Sequence, residues 1–263
     1  MKVVVLAGGF GTRISEASGT MPKPLINIGE QPILWHIMKI YAAHGLNEFI
    51  VCCGYKGHLI KQYFAEYFVR NADMTFDLKN NTLEAHSEPG EDWTVTCVHT
   101  GLNTMTGGRL KRVRDFVGDE TFCLTYGDGV SDLDINKLIK FHKDSGAWAT
   151  LTAVQQPGRF GALQIQNEKI VNFREKPHGD GAYINGGFFV LEPEVFDLID
   201  GDDTVWEREP MEHLVQRGKL AAYVHDGYWQ NMDTLRDRKV LEEQWASENP
   251  PWQVWEEKTS HRD

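Results

Sequence analysis

The strongest constraint on the fold comes at the start of the chain. Val3-Val4-Val5-Leu6-Ala7 is an unbroken apolar run, mostly β-branched, that stops at Gly8-Gly9. Such a run has no polar side to turn toward water. It therefore reads as a strand buried on both faces, as in a parallel sheet covered by helices. Ile33 to His44 follows Pro32 with apolar residues at helical spacing (Ile33, Leu34, Ile37, Ile40, Tyr41), and Gly45 is placed to cap it. Phe49 to Cys53 reads as a second buried strand and His58 to Phe68 as a second helix. Strand, helix, strand, helix predicts a Rossmann-like, doubly wound α/β sheet.

The pattern loosens between Asp73 and Thr100, where Thr75–Leu78 and Thr94–Val98 alternate as strands do, and small β insertions are expected. Gly107-Gly108 is expected to open a basic helix, Arg109 to Val117. Phe122–Tyr126 reads as a central strand ending at Gly127-Asp128-Gly129, Asp134–Ser145 as a helix and Ala149–Val154 as a strand. Short strands follow between Gly161 and Val190, then a helix from Pro210 to Arg217, a strand from Leu220 to His225 and a helix from Thr234. The mixed order predicts a mixed sheet in one domain, 1–248, with a tail over 249–263. Trp252 and Trp255 in that tail fit two outcomes: an arm packed on its own body, or one that crosses to another subunit.

At 263 residues the chain can bury a large core without disulfides. A net charge of −11 argues against a nucleic-acid binder, which needs clustered cations, but leaves room for a small anionic ligand at a local positive site. Cys52, Cys53, Cys97 and Cys123 form no CxxC pair, so reduced, buried thiols are expected. No segment approaches the roughly 20 apolar residues of a membrane span, and the run after Met1-Lys2 is too short for a signal peptide. A cytoplasmic location, with neither membrane nor nucleic acid as partner, is the expectation.

Glycines at 8, 9 and 11 let backbone N–H groups turn toward an anion, with Thr12 adding a hydroxyl and Arg13 a charge. Glycines alone also fit a plain tight turn. A dinucleotide-dependent oxidoreductase would need GxGxxG, and Gly9-Phe10-Gly11-Thr12-Arg13-Ile14 lacks the third glycine; no GxxxxGK[ST] loop is present either. In Pro22-Lys23-Pro24 two prolines stiffen the backbone around one cation, which is either a surface lysine or a charge positioned for a phosphoryl oxygen. Asp128 sits where open α/β sheets bind ligands, at a strand's carboxyl end; it fits an Asx turn or a ligand for Mg²⁺. Arg109, expected at a helix start, could meet an anion or a carbonyl, whereas Lys111, Arg112 and Arg114 fit a solvated face. The histidines offer no metal-spaced pair, and no Ser-His-Asp grouping has local support.

Taken together, Leu6-Ala7-Gly8-Gly9-Phe10-Gly11-Thr12-Arg13 and Pro22-Lys23-Pro24-Leu25 resemble the signature of the sugar nucleotidylyltransferases. The resemblance runs to about Trp255 and leans toward the branch that uses CTP and glucose 1-phosphate, through Met105–Arg112, Tyr126–Gly129, Pro157–Leu163 and Trp229–Leu235. Where the family motif usually has proline this chain has Asn231, a departure taken as minor. The resemblance implies a nucleotide-binding half, 1–130, and a sugar-binding half, 131–248. It implies Lys23, Arg13 and Asp128 as catalytic groups. Leu6, Ala7, Gly8, Gly9, Phe10, Gly11, Thr12, Arg13, Lys23, Thr104, Gly108, Arg109 and Asp128 would hold the nucleotide. Glu175, Lys176, Asn185 and Gly186 would hold the sugar phosphate, and Asp128 with Asp233 would hold Mg²⁺. It further implies a homo-oligomer, a hexamer being one arrangement, that feeds deoxysugar and O-antigen (lipopolysaccharide) biosynthesis. A sensor on the same fold that binds a nucleotide sugar without turnover is the non-enzymatic alternative.

Overall fold

The computed structural model describes residues 1–14, 19–87, 90–155, 162–166, 169–174 and 182–256. A seven-stranded sheet forms its centre. In chain order the strands are β1 (Val3–Ala7), β2 (Glu48–Cys53), β3 (Thr94–His99), β4 (Phe122–Tyr126), β5 (Ala149–Val154), β6 (Ile184–Leu191) and β7 (Leu220–His225). Their order across the sheet is β7-β5-β6-β4-β1-β2-β3. β1 pairs in parallel with β2 and with β4, β2 with β3, and β5 with β7. β6 alone is reversed, antiparallel to both β4 and β5. The fold is thus the expected α/β mixed sheet.

Every residue of β1 is buried, with side chains alternating between two cores. Val3, Val5 and Ala7 meet α1 (Ile33–Ala42) through Ile33, Ile37 and Tyr41. Val4 and Leu6 meet Leu110, Phe189 and Trp206 on the other side. Both faces of the first strand are dry, which is why no polar residue interrupts it. Gly45, with φ at +80°, ends the turn that follows α1. The helix expected from His58 to Phe68 is instead α2 (Gly57–Ala65) and a short Tyr67–Asn71 segment, divided at Glu66.

The basic helix also needs correction. It begins earlier than expected, as α3 (Thr106–Lys111), and breaks before a separate turn at Arg114–Val117. Gly107 and Gly108 lie inside its first turns rather than ahead of it. A Cβ on Gly108 would fall 2.5 Å from the Asp202 carbonyl oxygen and one on Gly107 2.8 Å from that of Thr204. The glycines serve close packing of two backbones. Lys111, Arg112 and Arg114 are bound to the 197–202 segment rather than simply solvated: Lys111 bonds the Ile199 and Asp200 carbonyls, Arg112 pairs with Asp202 and Arg114 with Asp197.

Asp134 caps α4 (Ile135–Ser145), and Thr234 with Asp237 forms a capping box on α5 (Leu235–Trp245). A ribbon of Gly129–Ser131 against Trp229–Asn231 ties the segment after β4 to the segment before α5. Trp252 is fully buried against Tyr228, His36 and Trp245, so the tail packs on its own body as far as it is described. No described helix is long and apolar enough to cross a membrane.

Candidate active site

The parallel strands end along one edge of the sheet, and the sheet order decides where that edge opens. The chain moves outward from β1 through β2 to β3, then returns to place β4 on the other side of β1. Loops leaving β1 and β4 therefore diverge, and ligands bind in such a crevice. Here it is a cleft of about 740 Å³ lined by Leu6 to Thr12, by Lys23, by Leu102 to Thr106, and by Asp128, Asn185 and Asp233.

The loop after β1 is shaped by what lies beneath it. Arg109 is buried, and its guanidinium donates to Thr100 Oγ1 (2.9 Å), the Gly101 carbonyl (2.7 Å) and the Leu102 carbonyl (3.1 Å). A Cβ on Gly8 would sit 2.2 Å from Arg109 Nη1. Only glycine lets the loop lie on this platform, and Gly11 takes φ +64° beyond it. Arg109 borders the cleft from within the helix, not from a helix start, with three N–H groups committed to carbonyls and a hydroxyl. Gly108 faces Asp202 and stands outside the lining. Thr104 lines the cleft and is nearly buried.

Lys23 opens a short 3₁₀ turn, Lys23–Leu25, held by buried Pro24 and Leu25. Its ammonium lies 2.5 Å from Asp128 Oδ2 and 2.6 Å from Asp233 Oδ1. Burial on its own would lower the lysine's pKa, but the Asp128 and Asp233 carboxylates outweigh it and the net shift is upward. Asp128 follows β4, and Asp233 precedes α5; the ribbon brings them together, with the Met232 N–H donating to the Asp128 carbonyl (2.8 Å). The two expected metal carboxylates thus converge around a single cation.

Reversal of β6 delivers Asn185 to the same edge. Its Nδ2 donates to Tyr126 Oη (3.2 Å) and its Oδ1 accepts from the Gly187 N–H (2.9 Å). The Gly186 carbonyl accepts from Trp229 Nε1 (2.7 Å). Arg13 lies in the Thr12–Ile14 turn. Its side chain, and all of Glu175 and Lys176, lie outside the described residues.

Glu207, which stands behind the cleft lining, was not singled out from sequence. Tyr126 donates to Glu207 Oε1 (2.5 Å), and Thr106 donates to Glu207 Oε2 (2.7 Å). Glu207 therefore links the start of α3 to Tyr126 and, through it, to Asn185. It sits in an irregular segment with no motif to mark it. Ser131, Asp132 and His225 do meet, but Asp132 Oδ1 (2.8 Å) and Ser131 Oγ (3.2 Å) both approach the same nitrogen, Nε2. A relay needs the acid and the nucleophile on opposite nitrogens.

With this geometry in place, the comparisons with known proteins are specific. The nucleotidyl transferase family pattern matches residues 2–237. The chain belongs to this family. It is 58% identical over 257 residues to a glucose-1-phosphate cytidylyltransferase of Salmonella typhi, covering 97% of this chain and 100% of that protein. It is 44% identical over 256 residues to a probable glucose-1-phosphate cytidylyltransferase of Bacillus subtilis, again 97% and 100%. The fold matches that of HddC from Yersinia pseudotuberculosis at a TM-score of 0.66 and 23% identity, covering 93% of this chain and 99% of that one. A UDP-glucose pyrophosphorylase complexed with UDP-glucose gives the same TM-score, 0.66, at 15% identity, covering 93% and 97%.

Proposed function

We propose that this protein transfers the cytidylyl group of CTP to α-D-glucose 1-phosphate, releasing pyrophosphate and forming CDP-glucose. The observation that carries the reading is the meeting of Lys23, Asp128 and Asp233 at the crevice beside the Gly8–Thr12 loop. Identity above one half to a relative matched over its whole length and 97% of this chain supports the choice of substrates.

The acceptor phosphate is ionised at neutral pH, so the reaction needs no general base. A phosphate oxygen of glucose 1-phosphate bonds to the α-phosphorus of CTP while the bond from that phosphorus to the bridging oxygen breaks. The electron pair leaves with pyrophosphate. Positioning and charge neutralisation carry such a transfer. Backbone N–H groups of the Gly8–Gly11 turn cradle the phosphates, Arg13 adds charge there, and Lys23 neutralises charge on the α-phosphoryl oxygens. Asn185 borders the cleft on the proposed acceptor side, Gly186 stands outside the lining with its carbonyl on Trp229, and Glu175 and Lys176 are also proposed to act there.

Mg²⁺ fits this site. The lysine ammonium already stands between two carboxylates as a resident cation, and Mg²⁺ prefers one or two carboxylates plus phosphate oxygens. Asp128 and Asp233 are the residues that would hold it, and bound Mg²⁺ would neutralise the triphosphate and ease departure of pyrophosphate.

Pyrophosphate release, measured with each of the four ribonucleoside triphosphates and dTTP against several sugar 1-phosphates, tests the reading. CTP with glucose 1-phosphate should give the highest kcat/KM. A preference for another pair would overturn the substrate assignment, and binding without release would favour a sensor.

A further inference from the structure

Asn231 stands where the family motif usually has proline, and the structure makes that exchange consequential. It ends the Trp229–Asn231 strand, opposite Gly129 and next to the segment that carries Asp128. Its Nδ2 donates to Asp233 Oδ2 at 2.8 Å, while Asp233 Oδ1 faces Lys23 at 2.6 Å. One carboxylate is thereby pinned at both oxygens, one by a neutral amide and one by the ammonium. A proline could not make the first of these bonds.

The other end of the same amide is unusual in another way. Asn231 Oδ1 is buried and has no hydrogen-bond partner among the described residues, although Asn231 lines the cleft. A buried acceptor left unpaired is costly in a native structure and marks a place where a donor is missing. At its buried position this oxygen is closed to water in the cleft, so the amide's contribution toward the metal lies in the N–H that holds Asp233.

Building on the proposed reaction, we infer that Asn231 is a positioning residue for the metal: its amide N–H fixes the orientation of Asp233, one of the two carboxylates that would hold the ion. Partners of this kind orient ligating carboxylates, and losing one typically weakens metal binding about 10–100-fold. The role is specific to chains with Asn here and adds a determinant that the shared motif lacks.

The test measures how strongly metal and nucleotide binding are linked. Affinity for α,β-methylene-CTP is determined by calorimetry with saturating Mn²⁺ and again with EDTA, and the ratio of the two dissociation constants is the metal-dependent gain. In Asn231→Leu, which keeps the branched shape and removes both polar atoms, this gain should fall about tenfold. Affinity in EDTA and KM for glucose 1-phosphate should hold. Asn231→Pro, the residue of the family motif, should give the same loss. A gain unchanged in both variants overturns the proposal. So does a raised KM for glucose 1-phosphate with the gain intact, since the side chain would then serve the acceptor and not the metal. Asp233→Ala is the control. It should abolish the gain, and if it does not, the metal assignment itself fails rather than the role of Asn231.

Discussion

Two ionised carboxylates side by side in a half-buried cleft repel unless a cation stands between them, and here Lys23 is that cation. On the proposed mechanism the same ammonium also serves phosphoryl oxygens during transfer, so one charge has two addresses. Lys23→Met should lower kcat by about 10²–10³-fold, the usual cost of losing one preorganised charge contact. Near-normal turnover would remove Lys23 from the mechanism. Without nucleotide the same variant should bind Mn²⁺ more tightly than the parent, because Asp128 and Asp233 lose their internal counterion; unchanged binding by electron paramagnetic resonance would argue otherwise. The stiff Pro22-Lys23-Pro24 turn and the glycine-flanked Asp128 were both legible in the sequence, since each depends on near neighbours. Their meeting was not. Lys23 lies 105 residues from Asp128 and 210 from Asp233, and only the fold closes those distances. Glu207 was illegible for a different reason: its partners Tyr126 and Thr106 lie 81 and 101 residues away, and nothing local marks it.

Elements reveal where local rules mislead. Gly107-Gly108 looked like a helix start because glycine often precedes one, yet both serve the contact with Asp202–Thr204. Gly108→Ala should therefore destabilise the fold by about 1–3 kcal/mol, the range for overpacking, read as a lower Tm; an unchanged Tm would reject the contact. α1 carries a second example. Its His36 is fully buried, with Nε2 3.0 Å from the Ile28 carbonyl and Nδ1 accepting from Trp252 Nε1 at 3.4 Å. Burial pushes this imidazole down from 6.5 to about 4. As pH falls below 6.5 the unfolded chain takes up a proton that the folded chain refuses until about pH 4, so stability is lost through that window. The loss should approach about 2–3 kcal/mol, and His36→Gln should flatten the dependence of Tm on pH between these limits. A parallel decline in both proteins would show that other groups govern it. The periodicity of α1 was plain from Ile33 to Tyr41, but that its His36 anchors the tail through Trp252 could be known only from packing.

For the whole molecule, alternating strands and helices announced a doubly wound sheet, because β1 and β2 have no polar face to offer water. The order β7-β5-β6-β4-β1-β2-β3 was not announced, since crossovers, not local sequence, set it. Global charge has a kinetic consequence. A chain of net charge −11 repels two anionic substrates at long range. At fixed free Mg²⁺, kcat/KM should rise by roughly twofold as ionic strength goes from about 0.01 to 0.15 M, because screening shortens the reach of the repulsion. A fall would mean that local cations dominate the approach. The reversed strand β6 also divides the labour of the edge. β4, which pairs with it, and β1 beyond deliver Asp128 and Gly8–Thr12 by their exits, whereas β6 delivers Asn185 by its entrance. The two flanks of the cleft are therefore wired to opposite ends of their strands. With Asn185 on the acceptor side, as proposed, substitutions at the entrance of β6 would alter sugar choice while leaving the Gly8–Thr12 turn in place, which offers a separable handle for redesign.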